Sequence, residues 1–391
     1  MTTAKPIVTP RSVQRMGPRT AVTAVFFLNG ASFSSWYSRL PAIQERLDLG
    51  PGAVGLALFG APLGLLIAQP AVGAIIARRG SRPLVAAAPF YLAAVILPAL
   101  AVNTLTLFAA VTVVGAANGA LDIAMNAQGL AVERTAGRRL FSSLHAAFSF
   151  GALAGAGIAA VVAGVGIGAL PHLAGTAVIG AAAALAVIPG LQPDRPHRGP
   201  AGPRLARPSR RLAIYGAIAF CVLLAEGAVF DWSGIYLASE QRADPGLVPL
   251  GLAAFSLTMG AGRLLGDPVA TRYGETLVAR SGAALAAAGL GLALATSAVA
   301  IGIIGFAMMG LGLAAIFPLT LRAAARHPET AGPDLAAVST LGYLGLLSGP
   351  PVIGVLAELT GLRAALLLVC AACLAAGVLA TRIGADHTSP S

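Results

Sequence analysis

Two carboxylic acids stand where a chain seldom keeps them. Glu226 lies midway along the apolar run 213–238, and Asp122 lies within 105–131. Charge at the centre of a bilayer costs roughly 2.5 kcal/mol or more, so an ionisable group in such a run is a functional candidate. A carboxyl group there can bind and release a proton, or accept hydrogen bonds from a polar solute. Glu226 fits both roles, and it also fits a plainer one, a protonated acid bonded to a neighbouring helix. Asp122 shares a helical face with Asn126, one turn on. A salt bridge within its own half of the chain is the alternative to a site. Asn29, midway along 20–40, is the polar residue of the first run, and His145 sits about a turn inside 141–164. Histidine titrates closest to neutrality of all side chains, so His145 reads as a proton relay or as a helix-end hydrogen bond.

Further polar residues flank these. Asp231 lies five residues beyond Glu226 with Trp232 beside it, and pairing with Arg39 as an outer gate or solvation in a vestibule both fit. Trp36, Tyr37, Trp232 and Tyr236 suit an interfacial aromatic belt, and Trp232 equally suits a stacking face for a sugar. Arg263 and Asp267 are one turn apart, and mutual neutralisation is expected. The expected cavity lining is Asn29, Asp122, Asn126, Glu226, Trp232 and Tyr343. Catalytic signatures are absent: the chain has no Gly-Lys-Ser/Thr phosphate loop, no Gly-x-Ser-x-Gly and no His-Glu-x-x-His. We therefore expect no enzyme, cofactor or metal. Cys370-x-x-Cys373 lies in an apolar run without His or carboxylate, which favours packing sulfur over a redox or metal pair.

The elements that must position these residues are apolar helices. The 391 residues are 57% hydrophobic and 10% charged, against about 25% charged in a soluble domain. Runs long enough to cross a bilayer lie near 20–40, 52–76, 83–101, 105–131, 141–164 and 169–190. Six more lie near 213–238, 248–270, 277–296, 298–321, 335–357 and 361–381. Only Thr296-Ser297 separates the ninth and tenth. The first run, behind a basic N-terminus, lacks a small-x-small cleavage site and reads as a retained span. Between the sixth and seventh lies 191–211, rich in Pro and Gly with six arginines, which reads as a cytoplasmic linker. The domains expected are 1–190, the linker 191–211, and 212–391.

With both termini inside, 21 of the 26 Lys and Arg residues fall on the cytoplasmic side and four on the outer side, Arg263 being within a span. That asymmetry sets the orientation. The net charge of +11 is spread over short loops, with no soluble face to gather it, which excludes nucleic acid as partner.

The halves repeat. Asn29-Gly-Ala-Ser-Phe33 matches Glu226-Gly-Ala-Val-Phe230 at an offset of 197, making Asn29 the counterpart of Glu226. Arg78-Arg79-Gly80 matches Arg272-Tyr273-Gly274, and Gly151-x-x-x-Gly155 matches Gly345-x-x-x-Gly349, both at 194. The Gly pairs read as close-packing devices. A duplicated six-helix unit places a site between the halves near mid-membrane.

These features resemble the major facilitator superfamily. The loop Gly73-Ala-Ile-Ile-Ala77-Arg78-Arg79-Gly80-Ser81-Arg82 is similar to that family's Gly-x-x-x-Asp-Arg-x-Gly-Arg-Arg, with Ala77 at the Asp position. Its second copy carries Gly262, Arg263, Gly266, Asp267, Arg272 and Gly274, with Thr271 at the Asp position. Stretches such as Glu226-Gly-Ala-x-x-Asp231-Trp232 and Ser142-Ser-Leu-His145 look like a bacterial branch distantly similar to sugar/proton symporters. The resemblance implies an all-α integral membrane protein of twelve transmembrane helices in two pseudo-symmetric six-helix bundles. It implies cytoplasmic gate loops at Gly73, Arg78, Gly80, Arg82, Asp267, Arg272 and Gly274, with Asp267 standing in for the missing Asp. It further implies a monomer of the bacterial cytoplasmic membrane whose partners are the lipid bilayer, protons and a sugar-like or drug-like small molecule. Coupled transport, uncoupled facilitation and a non-transporting receptor or scaffold are the functions to separate. The buried acids count against the scaffold.

Overall fold

A computed structural model of the chain describes residues 16–137, 140–194, 209–327 and 330–383. Among them are twelve long helical stretches and no strand. The first six are α1 (Pro18–Ser38), α2 (Pro51–Arg79), α3 (Arg82–Leu100), α4 (Thr104–Ala136), α5 (Phe141–Gly164) and α6 (Ala169–Gly190). The second six are α7 (Arg210–Ser239), α8 (Leu250–Tyr273), α9 (Glu275–Leu294), α10 (Val299–Ala324), α11 (Ala331–Thr360) and α12 (Leu362–Arg382). Ten of these are long and apolar enough to cross a membrane. The other two, α1 and α8, are of similar length and hold Asn29 and Arg263, so polarity that serves the centre dilutes their hydropathy. The weak boundary at Thr296-Ser297 is a true break, between α9 and α10.

Prolines set the kinks. The helical pattern is interrupted at Phe59 in α2, at 86–87 and 95–96 in α3, and at 314–315 in α10. Each break lies two to four residues before a proline, respectively Pro62, Pro89, Pro98 and Pro318. A proline removes one N–H and crowds the carbonyl four residues back, which accounts for that spacing. At the other end of the scale, α4 starts on a full capping box: Asn103 Oδ1 accepts from the Thr106 N–H at 2.9 Å, and Thr106 Oγ1 accepts from the Asn103 N–H at 3.1 Å.

Helix pairing repeats between the two groups of six. α1 packs on α5 as α7 packs on α11; α2 on α4 as α8 on α10; α3 on α6 as α9 on α12. Between the groups, α5 meets α8 and α2 meets α11, the same pair related by the repeat. The outer surface is lined with exposed apolar side chains, among them Ile67, Phe90, Leu105, Ile179, Leu359 and Val378, as a lipid-facing wall requires. Trp36, Tyr37, Trp232 and Tyr236 are buried instead, so they form no interfacial belt. The linker arginines of 195–207, together with Arg138 and Arg139, lie outside the described residues.

Three of the four repeat glycines do close-pack. A Cβ at Gly151 would strike the Phe27 carbonyl, one at Gly155 the Ala31 carbonyl, and one at Gly345 the Phe220 carbonyl. Gly349 has open space around it and is no packing device. Overpacking a tight interface costs about 1–3 kcal/mol. Gly155→Val is therefore expected to lower the melting temperature of the detergent-purified protein, and Gly349→Ala to leave it unchanged or raised.

Candidate functional site

The two groups of six enclose a cavity of about 480 Å³ at mid-depth. α1, α4 and α5 supply one wall; α7, α8, α10 and α11 supply the other. Arg263 of α8 stands between the walls. Its Nη2 donates to Glu226 Oε1 at 3.0 Å, and its Nη1 donates to Ser149 Oγ of α5 at 3.1 Å. Arg263 thus pairs with Glu226 and not with Asp267. The expected one-turn pairing fails because Asp267 turns to Arg322 of α10, with which it forms an ion pair near the helix end. Glu275 joins that cluster, 2.5 Å from Arg326 and 3.6 Å from Arg322.

Asp122 lines the same cavity from α4. Asn126 sits behind it, its Nδ2 donating to the Asp122 backbone carbonyl at 2.9 Å and to Asp122 Oδ1 at 3.3 Å. Among the described residues no cation lies within ion-pair distance of Asp122. Asn29 and Asn118 complete this wall, and the side-chain oxygens of both are buried without a partner. Asn29 Nδ2 has only the Met125 sulfur, at 3.6 Å. Tyr343 approaches from α11, close enough to Asp122 to feel its charge. His145 also faces the cavity, its ring packed on Phe26 at 5.5 Å and Phe141 at 4.8 Å.

One end of the cavity is shut. Phe33 of α1 meets Phe230 of α7 at 5.1 Å between ring centroids, with Tyr37 at 4.7 Å from Phe33 and Phe255 at 5.9 Å from Phe230. Beyond this plug the halves touch closely. The Gly52 N–H at the start of α2 donates to Glu358 Oε2 of α11 at 3.0 Å. A Cβ on Gly246 would lie 3.0 Å from the Gly164 Cα, and one on Gly55 only 2.5 Å from the Pro350 carbonyl oxygen. The other end is open: Phe141, Ser142 and Asp267 line the mouth, and the Asp267 side chain is 51% exposed. That mouth is the end carrying Arg78, Arg79, Arg82, Arg272 and Arg322.

Of the residues expected at the site, Asn29, Asp122, His145, Glu226 and Tyr343 meet in the cavity. Asn126 lies behind Asp122. Trp232 is fully buried and does not line this cavity. Asp231 is buried in the closed end beside Tyr37, while Arg39 donates to the Ile167 carbonyl; the expected Asp231–Arg39 gate does not form. Sequence reasoning misses Arg263, Ser149 and Asn118 as lining or bridging groups. The lone cation inside a span is the signal for Arg263, and the one-turn spacing to Asp122 is the signal for Asn118.

The sequence matches the Major Facilitator Superfamily over residues 22–345 and again over 215–390. The chain belongs to that superfamily. It is 31% identical to an uncharacterized MFS-type transporter of Yersinia pestis, covering 92% of each chain. It is 33% identical to membrane protein MosC of Rhizobium meliloti, over 90% of this chain and 86% of that one. Its fold matches a single-residue mutant of the nucleoside transporter NupG with a TM-score of 0.74 at 14% identity, over 94% of this chain and 99% of that one. It also matches a single-residue mutant of the Escherichia coli fucose:proton symporter FucP with a TM-score of 0.63 at 16% identity, over 94% and 98%. This is a multi-pass membrane transporter for small molecules, not an enzyme.

The superfamily's loop motif is held in an unusual way. Gly80 and Gly274 occupy repeat positions and both have positive φ, 78° and 88°, so both turns need glycine. Gly73 has open space around it. Asp194, from beyond α6, folds onto the loop a few residues past Ala77, beside Gly80. Its carboxylate accepts from the Ser81 N–H and the Ser81 hydroxyl, each at 2.7 Å, and from the Arg82 N–H at 3.2 Å. Gln128 of α4 also donates to it, at 3.3 Å. In the second half, Asp267 and Glu275 tie the equivalent loop to Arg322 and Arg326 of α10. Each loop is therefore anchored to the fourth helix of its own half.

Partial burial works to raise the Asp194 pKa, but the Ser81 and Arg82 donors outweigh it and hold the carboxyl below its ordinary value. A depressed folded-state value stabilises the fold above the unfolded pKa, near 3.9, and that contribution is lost as pH falls through the folded value. Thermal stability followed from pH 6 down to 3 is expected to fall, with Asp194→Asn less stable at pH 6 and flatter across the range.

Proposed function

We propose that this protein is a proton-coupled secondary transporter of the bacterial cytoplasmic membrane, working by alternating access with both termini in the cytoplasm. The arginine-rich end is the cytoplasmic one, by the charge asymmetry of the loops. The conformation described here then faces inward, and the two six-helix halves, divided at 191–211, rock about the α5–α8 and α2–α11 contacts.

The observation that carries proton coupling is Asp122, a carboxylate in the cavity with no cation beside it. Glu226 has Arg263 at 3.0 Å to balance it. When the cavity closes and water leaves, an unbalanced charge becomes costly, and neutralising it by a proton removes that cost. On the sequence alone Glu226 ranks first and Asp122 second; the Arg263 pair reverses that order and makes Asp122 the proton carrier of first choice. Glu226 acts through its pair with Arg263: protonating Glu226 frees the guanidinium, and the freed guanidinium changes what holds α8 to α7. His145, at the mouth, relays protons to water. The likeness in fold to a fucose:proton symporter is in keeping with this reading.

Purified protein in liposomes loaded with pyranine, given sugars, nucleosides and organic cations in turn, tests it. The wild type is expected to move protons with at least one of these solutes. Asp122→Asn is expected to abolish solute-evoked proton movement and uphill accumulation while retaining exchange at equal concentration. Persistence of both in Asp122→Asn and in Glu226→Gln would leave an uncoupled facilitator as the better account. Reporter fusions after Arg211 are expected to read cytoplasmic, and those near Asp244 external; the reverse would overturn the orientation.

A further inference from the structure

The cavity wall also indicates what kind of solute it takes. Its charges do not cancel. Arg263 is engaged through Nη2 with Glu226 and through Nη1 with Ser149, and the Glu226 carboxylate balances its charge. Asp267 is paired with Arg322 at the mouth. Asp122 alone is left over, with one carboxylate oxygen turned to Asn126 and no cation within ion-pair distance among the described residues. The groups facing Asp122 are Tyr91 of α3 and Tyr343 of α11, with Glu226, Arg263 and His145 elsewhere on the cavity wall.

Two further polar atoms on that wall are buried and unpartnered. The Asn29 and Asn118 side-chain oxygens are acceptors, both unpartnered, and Asn29 is only 1% exposed. An unpartnered buried acceptor is costly unless a donor arrives. Around them stand aromatic faces: Phe33, Phe148 and Phe230 at the closed end, Phe141 and Phe317 toward the mouth. A surplus negative charge, unfilled acceptors and aromatic rings together describe a seat for a cation that carries hydrogen-bond donors.

We infer that the transported solute is an organic cation, a protonated amine bearing further donors, and that it exchanges with a proton at Asp122. The inference rests on Asp122 as the proton carrier. Protonated Asp122 releases its proton to water at the open mouth as the ammonium group arrives, and the carboxylate left behind pairs with the ammonium. On release at the other face the carboxylate takes up a proton again. The site is neutral in both loaded states, and one positive charge goes each way. A neutral polyol gains nothing from the carboxylate and is disfavoured against the matched amine.

Isothermal titration of the purified full chain in detergent tests this with matched probes: 2-phenylethylamine against 2-phenylethanol, glucosamine against glucose, and tetraphenylphosphonium. Running each in phosphate and in Tris counts the protons released. At least one amine is expected to bind about tenfold or more tighter than its neutral partner, the scale of one desolvated charge contact. Binding is expected to release roughly one proton, as linkage at a shared acid requires. Asp122→Asn is expected to lose both the preference and the release, and Asp122→Glu to keep the preference, which guards against mere misfolding. Neutral partners binding as tightly as the amines, no binding by any cation, or a preference that survives in Asp122→Asn would overturn the inference. Amine preference through Asp122 without proton release would instead sink the proton-coupled reading and spare the cation assignment. Neutral sugars or nucleosides that move protons through Asp122 would do the reverse.

Discussion

A permanent cation in the middle of a membrane must be partnered, and Arg263 shows how much follows from that. Arginine does not lose its proton in proteins, so its only stable state inside α8 is a paired one. The partners come from two directions, Glu226 on α7 and Ser149 on α5. One bond closes within a half and the other crosses between halves. Removing one member of a buried pair costs about 3–5 kcal/mol because the other is left alone. Arg263 is therefore a fixed point, and α5, α7 and α8 must approach it to keep it satisfied.

Around that point the molecule is asymmetric along its axis. At the closed end the halves meet through backbone and aromatic faces, with Gly164 against Gly246 and Gly55 against Pro350 and Gly354. Gly52 and Gly246 are repeat positions, as are Gly164 and Glu358, at the offset of 194 seen elsewhere. The two-fold thus places a glycine contact on one side and a carboxylate capping a helix N-terminus on the other. At the open end each of the two repeat-related loops is tied within its own half, by Asp194 in the first and by Arg322 and Arg326 in the second. No ion pair crosses between the halves among the described residues. Such an arrangement keeps each half stiff while leaving few specific bonds to break when they move against each other.

Much of this is legible in the sequence for stated reasons. Run length yields twelve helices, and Asn29, Asp122, Glu226 and Tyr343 meet in the cavity because mid-run polarity in a duplicated unit points to the shared interface. The failures share a cause. Depth along a helix can be counted, but the direction a side chain faces depends on which helix lies opposite. Trp232 has the right depth and faces the protein interior. Asp231 and Arg39 both lie toward the outer ends of their helices, yet Asp231 meets Tyr37. Arg263 and Asp267 are one turn apart, yet each finds a better partner on another helix, α7 for one and α10 for the other. Asp194 reads as part of a linker, because nothing local marks a loop residue that returns to cap Ser81.

The balance of charge connects these points to movement. Every acid on the cavity wall except Asp122 has its arginine. A fully paired cavity could close empty or full at nearly the same electrostatic cost, and nothing would couple solute to gradient. In the cycle we propose, one unpaired acid gives closure a condition: a positive charge must be aboard, whether a proton or a cationic solute. On that proposal the empty, deprotonated carrier is the one species held back, and each passage across the membrane takes one positive charge along. Placing a second cation beside Asp122 would fill the vacancy permanently and turn an obligatory exchanger into a leak. In this reading the missing partner of Asp122 is what makes the transporter coupled.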